Sequence, residues 1–335
     1  MRRRAVESVS REQKYRADDL DRAILRLLQV DARRPFAAMA ADLGVSDQTV
    51  ARRYQRLRAR AGVRVVALAQ PNVNTADLWL LRVRAGPHLD TIAANLARRS
   101  DTAWIHSVCG PGGLEVVGMV YRDRGEAGSF ALLEQLSASP SVTSATAQAC
   151  LHMFFGGPDS LLTKSTAPPD ERSAGPDDRQ PHRHGSDTTE ADRRLLTALG
   201  LDGRASVKQL SQVSGLAPET VTHRIGQLKA SGTLYFDVDF DPGLLGLRCG
   251  VSLWLTVTPA RLEDAGRLMA AHQEISFATA TTGTTNIYAV AHCVDTGAMY
   301  RYLSGPVAEL PGLNAVEAAP HIRDMKKAQG DPATP

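Results

Sequence analysis

The chain has 335 residues, of which 43% are hydrophobic and 22% are charged. At about 150 residues per domain, this length allows two or more domains, and the composition is ordinary for a globular protein. The longest apolar run, Phe36 to Ala41, is far shorter than the roughly 20 residues of a membrane-spanning helix, so we expect no membrane contact. The four cysteines are widely spaced, which fits neither a zinc clip nor a disulfide framework and predicts a cytoplasmic chain with reduced thiols.

Positive charge is concentrated at the N-terminal end. Residues 1–70 hold 16 Lys and Arg against 8 Asp and Glu, a net charge of +8 in a chain whose total is +3. A basic block of this kind is typical of binding to a polyanion, most often nucleic acid. A solubilising basic face gives the same count, so the charge by itself leaves both interpretations open.

An internal repeat organises the chain. The stretch from Asp21 to Leu25 matches the stretch from Asp192 to Leu196 at an offset of 171 residues, and the same offset relates Gly44 to Gly215 and Arg53 to Arg224. We therefore predict two copies of one module of roughly 150 residues. The segment between them, residues 164–187, is rich in proline and charge and is predicted to be a flexible linker.

The first part of each copy is predicted to form three short helices with a glycine turn before the third, the pattern of a helix-turn-helix. In the first copy, apolar residues recur at helical spacing around Ile24, Met39 and Tyr54, and Ser46 is placed to cap the third helix. The β-branched run Val63 to Val66 then predicts a strand or wing. Winged helix-turn-helix domains are accordingly predicted at residues 15–70 and 188–241.

The second part of each copy predicts strand, helix, strand, strand, helix, strand, which is the ferredoxin-like order. Alternation of Val251, Leu253 and Leu255 with more polar neighbours indicates a half-buried strand. The last strands are predicted at residues 142–149 and 314–319. The predicted fold is α+β, with two winged helix-turn-helix domains alternating with ferredoxin-like domains at residues 76–158 and 248–325.

The third helix of the first copy is strongly basic. Residues 46–60 carry five arginines and one acidic residue, a net charge of +4. The first turns of a recognition helix meet base edges in the major groove, and arginines along its flank contact phosphates. The predicted DNA-binding residues of this copy are Ser46, Gln48, Thr49, Arg52, Arg53 and Arg56.

The equivalent segment of the second copy, residues 217–231, has a net charge of only +1. Ala217 replaces the capping serine and Gly226 falls within the helix, each at a cost of about 1 kcal/mol. Weak DNA binding and a purely structural role both fit this segment. Its predicted DNA-binding residues are Thr220, Thr222, His223 and Arg224.

The order, spacing and duplication of these motifs resemble the Lrp/AsnC family of transcription regulators. The resemblance lies in Leu20 to Leu25, in the segment from Leu43 through Leu57, and in the glycine between the middle strands of the second part. An ordinary member has one module, so this chain would be a tandem member of double length. The resemblance implies a regulator that binds double-stranded DNA, with ferredoxin-like domains that mediate assembly and often sense amino acids.

The same resemblance points to an effector loop. In the family, this glycine is commonly followed by an acidic residue that helps to hold an amine-bearing effector. The predicted ligand-binding residues here are Gly283, Thr284 and Asn286, and Asn286 lacks the negative charge. Residues 110–113 of the first copy have no polar side chain. The effector is therefore either a different small molecule or absent.

Two other functional classes stay open. Siroheme decarboxylases are built on the same module, although residues 104–108 and 277–281 carry one histidine and no arginine to hold a tetrapyrrole. A pure assembly partner that does not touch DNA is the third class. The histidines have no partner at ligand spacing in the sequence, so we predict no catalytic residue, no metal site and no cofactor.

The linker also makes a prediction about assembly. About 23 residues span on the order of 25 Å as a random coil, which is enough for the two ferredoxin-like sheets to pair within one chain. Tethering raises the effective concentration of this pairing. We therefore predict an intramolecular pseudo-dimer, from which higher homo-oligomers can be built.

Overall fold

The computed structural model describes residues 15–69, 76–123, 131–156, 161, 189–231 and 233–326. The predicted linker at residues 164–187 lies outside these ranges. The helices are α1 Asp19–Val30, α2 Phe36–Leu43, α3 Asp47–Ala61, α4 Leu89–Arg98, α5 Ala131–Ala138, α6 Glu190–Leu201, α7 Val207–Ser214, α8 Pro218–Ala230, α9 Leu262–Ala271 and α10 Thr296–Tyr302. The strands are β1 Arg64–Ala69, β2 Ala76–Ala85, β3 Thr102–Gly110, β4 Gly113–Asp123, β5 Val142–Phe155, β6 Leu234–Asp239, β7 Cys249–Val257, β8 Ile275–Thr281, β9 Ile287–Cys293 and β10 Leu313–Lys326.

Each copy begins with three helices around one apolar core. α1 and α6 both start with a capping box, in which the side chain of Asp18 or Thr189 accepts a hydrogen bond from the backbone N–H three residues on. Gly44 and Gly215 follow α2 and α7 with φ of 64° and 75°, a left-handed conformation that glycine adopts without steric cost. The chain is thereby turned into the third helix, as the glycine positions predicted.

The strand that follows each third helix pairs with its counterpart in the other copy. β1 and β6 form an antiparallel two-stranded sheet, in which Arg64 lies opposite Asp239 and Ala69 lies opposite Leu234. The predicted wing of the first copy is therefore not a wing confined to its own domain but half of a ribbon between copies. The reason is that a lone strand needs a partner for its backbone hydrogen-bonding groups, and the equivalent strand supplies one.

Two equivalent arginines join the helix-turn-helix units beside this ribbon. Arg33 donates two hydrogen bonds to backbone carbonyls of the second copy, and Arg204 donates two to carbonyls of the first, at 2.6 and 2.9 Å in each case. The guanidinium of Arg204 also lies 4.6 Å from the ring centroid of Phe36. These reciprocal contacts hold the turn between α1 and α2 against the turn between α6 and α7. The acceptors are Gly203, Ala205, Ala32 and Arg34.

The other eight strands close into one barrel. Their order is β10, β3, β4, β2, β5, β8, β9, β7, and β7 pairs with β10 to complete the ring. Within each copy the strands follow the order second, third, first, last, as in a ferredoxin-like sheet. α4 and α5 pack on the outside of the first copy's strands, and α9 and α10 on the outside of the second copy's.

The last strand of each copy runs further than its sequence predicted. β5 reaches Phe155 and β10 reaches Lys326, about six residues beyond the predicted ends. The added residues pair with the other copy, β5 with β8 and β10 with β3. The prediction was too short because the edge that extends each strand comes from a distant part of the chain. These two seams join the sheets within one chain.

The barrel interior contains a buried ion cluster. Glu115 is fully buried and pairs with both Arg82 and Arg84, and Arg82 also pairs with Glu317 of the second copy. The Arg82 guanidinium lies 4.2 Å from the centroid of the Trp254 ring. Burial acts to raise the pKa of Glu115, but the two arginines hold that pKa below its usual range. The cluster therefore ties charged residues of the two copies together inside the barrel.

None of the described helices has the length and apolar character needed to cross a membrane.

Candidate nucleic-acid interface

α3 presents a basic outer face on a well-anchored helix. As predicted, Ser46 caps the helix, and its hydroxyl accepts a hydrogen bond from the backbone N–H of Thr49 at 3.1 Å. Val50 and Leu57 are fully buried against α1 and α2. The opposite face of the helix is exposed to solvent. Its exposed polar residues include Gln48, Arg52, Arg56 and Arg60.

Arg52 is the predicted DNA-contacting arginine whose guanidinium is least engaged. It is exposed and makes no ion pair with any residue in the described part of the chain. Arg56 is exposed as well, and its guanidinium lies 5.0 Å from the ring centroid of Tyr15. Arg58 instead pairs with Asp202 of the second copy at 3.3 Å. Arg52 and Arg56, with Gln48, therefore form an exposed polar face of α3.

Arg53 has a different environment from the one predicted for a DNA contact. Its guanidinium pairs with Asp18 and lies 3.4 Å from Oδ1 of Asp21, and its side chain is only 23% exposed. The Tyr15 hydroxyl donates to Asp21 at 2.6 Å. Burial and this hydrogen bond raise the pKa of Tyr15 to about 12. Arg53 thus ties α3 to α1, and a phosphate contact would have to compete with these carboxylates.

Arg224 repeats this arrangement in the second copy. It donates to both carboxylate oxygens of Asp192, at 2.6 and 2.7 Å, and Asp192 is 1% exposed. The hydrogen bond from Arg224 is the main reason that the pKa of Asp192 falls to about 2. The same 171-residue offset relates Asp21 to Asp192 and Arg53 to Arg224. The joint repetition of an acid and a base was the signal for an internal ion pair, and sequence reasoning missed it.

α8 is the counterpart of α3 in the second copy. As expected from Ala217, no side chain caps its N-terminus, although Pro218 occupies the first turn, where its fixed φ suits a helix. Thr220 and His223 are exposed. The Thr222 hydroxyl donates back to the Pro218 carbonyl at 3.2 Å. At the 171-residue offset, His223 stands at the position of Arg52 and Gln227 at the position of Arg56, so α8 lacks both exposed arginines.

The predicted effector loop is held by hydrogen bonds within the chain. Asn286 accepts from the backbone N–H of Val257 at 2.8 Å and donates to the Val257 carbonyl at 2.7 Å. The carbonyl of Thr284 accepts from the Thr256 hydroxyl. The amide group of Asn286 thus joins β9 to β7, which gives it a structural role that the sequence did not predict.

Gln148 of the first copy closes the same loop across the seam. Its Nε2 donates to the carbonyls of Thr282 and Thr285, at 2.6 and 3.1 Å. A methyl group added to Gly283, which has φ of 105°, would lie 2.7 Å from that nitrogen. A ligand at Gly283 would therefore have to displace the Gln148 side chain.

Three histidines that are far apart in sequence meet at the seam where β10 pairs with β3. The rings of His106 and His321 stack with centroids 4.6 Å apart, and the ring of His292 lies 6.3 Å from His321. Burial is the main cause that lowers the pKa of His292 to about 4 and of His321 to about 3. From their spacing in the sequence we expected these histidines to have no partner. That expectation was wrong, because β3, β9 and β10 bring them together only in the closed barrel.

Comparison with known proteins agrees with the helix-turn-helix geometry. The AsnC-type helix-turn-helix domain matches residues 18–58 and again residues 189–229. The HTH-type transcriptional regulator FL11 of Pyrococcus abyssi (strain GE5 / Orsay) is 30% identical over 95 residues, which cover 28% of this chain and 63% of FL11. The chain thus spans less than two thirds of that relative's length.

A second regulator and one solved structure are matched over more of their own length. The HTH-type transcriptional regulator PH0140 of Pyrococcus horikoshii is 23% identical over 140 residues, covering 42% of this chain and 89% of PH0140. The crystal structure of the siroheme decarboxylase NirDL superposes with a TM-score of 0.61 over 92% of this chain and 93% of that one, at 12% identity. At that identity the likeness shows a shared fold alone.

The two matched domains contain α1 to α3 and α6 to α8. In each domain the first helix begins with a capping box, and a glycine turn separates the second helix from the third. The matched domains coincide with the helix-turn-helix part of each of the two copies found in the sequence. The chain therefore carries two AsnC-type helix-turn-helix domains and, over part of its length, is similar to HTH-type transcriptional regulators.

Proposed function

We propose that the chain is a DNA-binding transcriptional regulator in which α3 supplies most of the DNA affinity. The observation that carries this proposal is the exposed face of Gln48, Arg52 and Arg56 on a helix whose cap and buried side keep it rigid. Arginine on such a helix pairs with guanine edges or with phosphates. Ser46 and Thr49, at the start of the helix, are placed beside the same groove.

The fixed relation between the two helix-turn-helix units shapes the proposed target. The β1–β6 ribbon and the reciprocal bonds of Arg33 and Arg204 hold the two helix-turn-helix units together. Because α3 and α8 differ in exposed charge, we infer an imperfect palindrome with a strong half-site for α3 and a weak half-site for α8. Thr220, Thr222 and His223 are the residues that would meet the weak half-site, while Arg53 and Arg224 act by holding their helices in place.

The test begins with selection of bound fragments from genomic DNA by the full-length chain. On a selected site, Arg52→Ala should lower affinity about tenfold, the cost of one good contact, and should flatten the salt dependence of binding. The matched control is Arg301→Ala, which removes one exposed arginine from α10. Equal affinity of the two variants would refute the role of α3, and no enrichment of any fragment would refute DNA binding.

We also infer that the functional unit is one chain acting as a pseudo-dimer. Two helix-turn-helix domains and two ferredoxin-like domains are the proposed units, and both seams of the barrel lie within the chain. Proteolysis between residues 164 and 187 should leave two fragments that remain together during gel filtration. Fragments that separate and each form homodimers would overturn this inference.

The residues of the predicted effector loop are already engaged within the chain. Gly283, Thr284 and Asn286 are engaged by Gln148, Thr256 and Val257, so their geometry does not favour an amino acid at this loop. We infer that any small molecule acting here would first have to release Gln148. Gln148→Ala should then alter DNA affinity only when a small molecule binds this loop.

A second candidate function is siroheme decarboxylation. The observation that favours it is that the rings of His106, His292 and His321 lie close together. The closed barrel thus places three imidazoles at one site, whereas each strand by itself carries one. The full-length likeness to NirDL supports the fold on which such chemistry can occur. A change in the absorption spectrum when siroheme is added to the purified chain would support this candidate, and an unchanged spectrum would count against it.

A further inference from the structure

The seam between β10 and β3 contains an irregularity that collects side chains. His321 pairs with Val108 and Arg323 pairs with Ser107, so Ile322 is an extra residue in β10. Residues three apart on a regular strand face opposite sides of a sheet, but this bulge turns Asp324 toward the same side as His321. β-Bulges are used in this way to redirect side chains beside functional sites.

The facing strand is irregular at the same place. β3 shifts its register between Ala103 and His106, and Trp104 between them has φ of 54°, a left-handed conformation that is rare for a non-glycine residue. The Nδ1 atom of His106 lies 2.8 Å from Oδ1 of Asp324. Two irregular strands, one from each copy, thus bring His106 and Asp324 into contact.

The second imidazole is held from behind. The Nε2 atom of His321 lies 2.9 Å from Oγ of Ser252, which leaves its Nδ1 atom for another partner. A methyl group on the neighbouring Gly250 would lie 3.0 Å from that Nδ1, so glycine keeps the space beside it open. Orientation of an imidazole through its second nitrogen is the usual arrangement around a metal-binding histidine.

We propose that His106, His321 and Asp324 bind one divalent transition-metal ion of the zinc type at this seam. Each can place a ligand atom within 4.8 Å of the other two. In a tetrahedral zinc site with bond lengths of about 2.1 Å, the ligand atoms are about 3.4 Å apart. Side-chain movements of about 1 Å would bring the three ligand atoms to that separation. Two imidazoles and one carboxylate suit zinc better than calcium or magnesium.

The position of the site gives the ion a role. His106 belongs to the first copy, and His321 and Asp324 belong to the second, so the ion would join the copies at a seam. The Asp324 side chain is 45% exposed, which gives an ion access from solvent. Binding to the folded chain alone would also raise the melting temperature by mass action.

The experiment loads the full-length chain with Zn²⁺, dialyses it against metal-free buffer and measures the retained zinc. We expect one zinc per chain, a melting temperature raised by several degrees, and, with Co²⁺ as the probe, the visible absorption of a low-symmetry site. His106→Asn and His321→Asn should each weaken zinc binding about 100-fold or more, a loss typical of disturbing a metal's ligands or their supporting groups. Gly250→Ala leaves all three ligands present and should also weaken zinc binding.

His88→Asn is the matched control, because His88 is an exposed histidine in the turn before α4. Circular dichroism of each variant shows that a loss of zinc is not a loss of fold. The proposal fails if the wild-type chain retains no zinc, or if the two ligand variants retain as much as His88→Asn. It also fails if His106 and His321 are needed for the uptake of an iron porphyrin while Zn²⁺ does not bind, a result that favours the tetrapyrrole candidate. None of these outcomes depends on DNA binding.

Discussion

Arg224→Met isolates the ion pair that links α8 to α6. Methionine keeps an unbranched side chain of similar length but removes the two hydrogen bonds to Asp192, whose carboxylate is 1% exposed. Asp192 keeps its hydrogen bonds from Thr189, so the cost should lie at the low end for a broken buried pair, about 2 kcal/mol. That free energy corresponds to roughly 30-fold more frequent opening of this helical unit.

Native-state hydrogen exchange measures this opening within the intact chain. Amides of α6 to α8 should exchange about 30-fold faster in Arg224→Met, and those of the barrel should not change. The control is Arg193→Met on α6, the helix that carries Asp192; the ion pair of Arg193 with Glu190 is well exposed and should contribute little. Equal exchange rates in the two variants at neutral pH would refute the reasoning.

The pH dependence of the same variant has a defined sign. The folded chain holds the pKa of Asp192 at about 2, below its ordinary value of 3.8. The ion pair therefore stabilises the fold fully above about pH 4, and this contribution is lost as the pH falls toward 2. The stability difference between wild type and Arg224→Met should narrow over that interval. A constant difference down to pH 2 would show that the pair does not act through the charge of Asp192.

Three further substitutions test contacts elsewhere in the chain. Arg204→Ala removes two hydrogen bonds to backbone carbonyls and should cost about 2 kcal/mol, seen as faster exchange of β1 and β6 amides; unchanged exchange would contradict the proposed junction. Asn286→Asp keeps the acceptor for the Val257 N–H but sets a carboxylate oxygen against the Val257 carbonyl. The melting temperature should therefore fall, and the added negative charge should not create a binding site for an amine. Glu115→Gln removes the carboxylate that pairs with both Arg82 and Arg84 and should cost about 2 kcal/mol, because Arg82 keeps Glu317 and Arg84 is 40% exposed; melting measures this cost, and a loss below about 0.5 kcal/mol would show that the two ion pairs of Glu115 contribute little.

Local patterns predicted the elements closely where neighbours in sequence decide them. The strand predicted from the alternation of Val251, Leu253 and Leu255 is present as β7, because such alternation depends only on adjacent residues. Both faces of β7 are buried, since the barrel closes around it. The cap at Ser46 and the turn at Gly44 were also visible, since both depend on a few residues. By contrast, the predicted effector role of Asn286 rested on position alone, and the sequence did not show its two bonds to Val257.

The sequence by itself therefore determined that this protein has two copies of one module, with a basic third helix in the first copy and a weaker one in the second. Only the tertiary structure decided that Arg53 and Arg224 serve ion pairs, that β1 pairs with β6, and that the last strands extend into the other copy. It also decided that His106 and His321 meet. The physical reason is distance along the chain: each of these contacts joins residues 32 or more positions apart, and the geometry of the closed barrel and of the helix packing, rather than any local periodicity, brings them together.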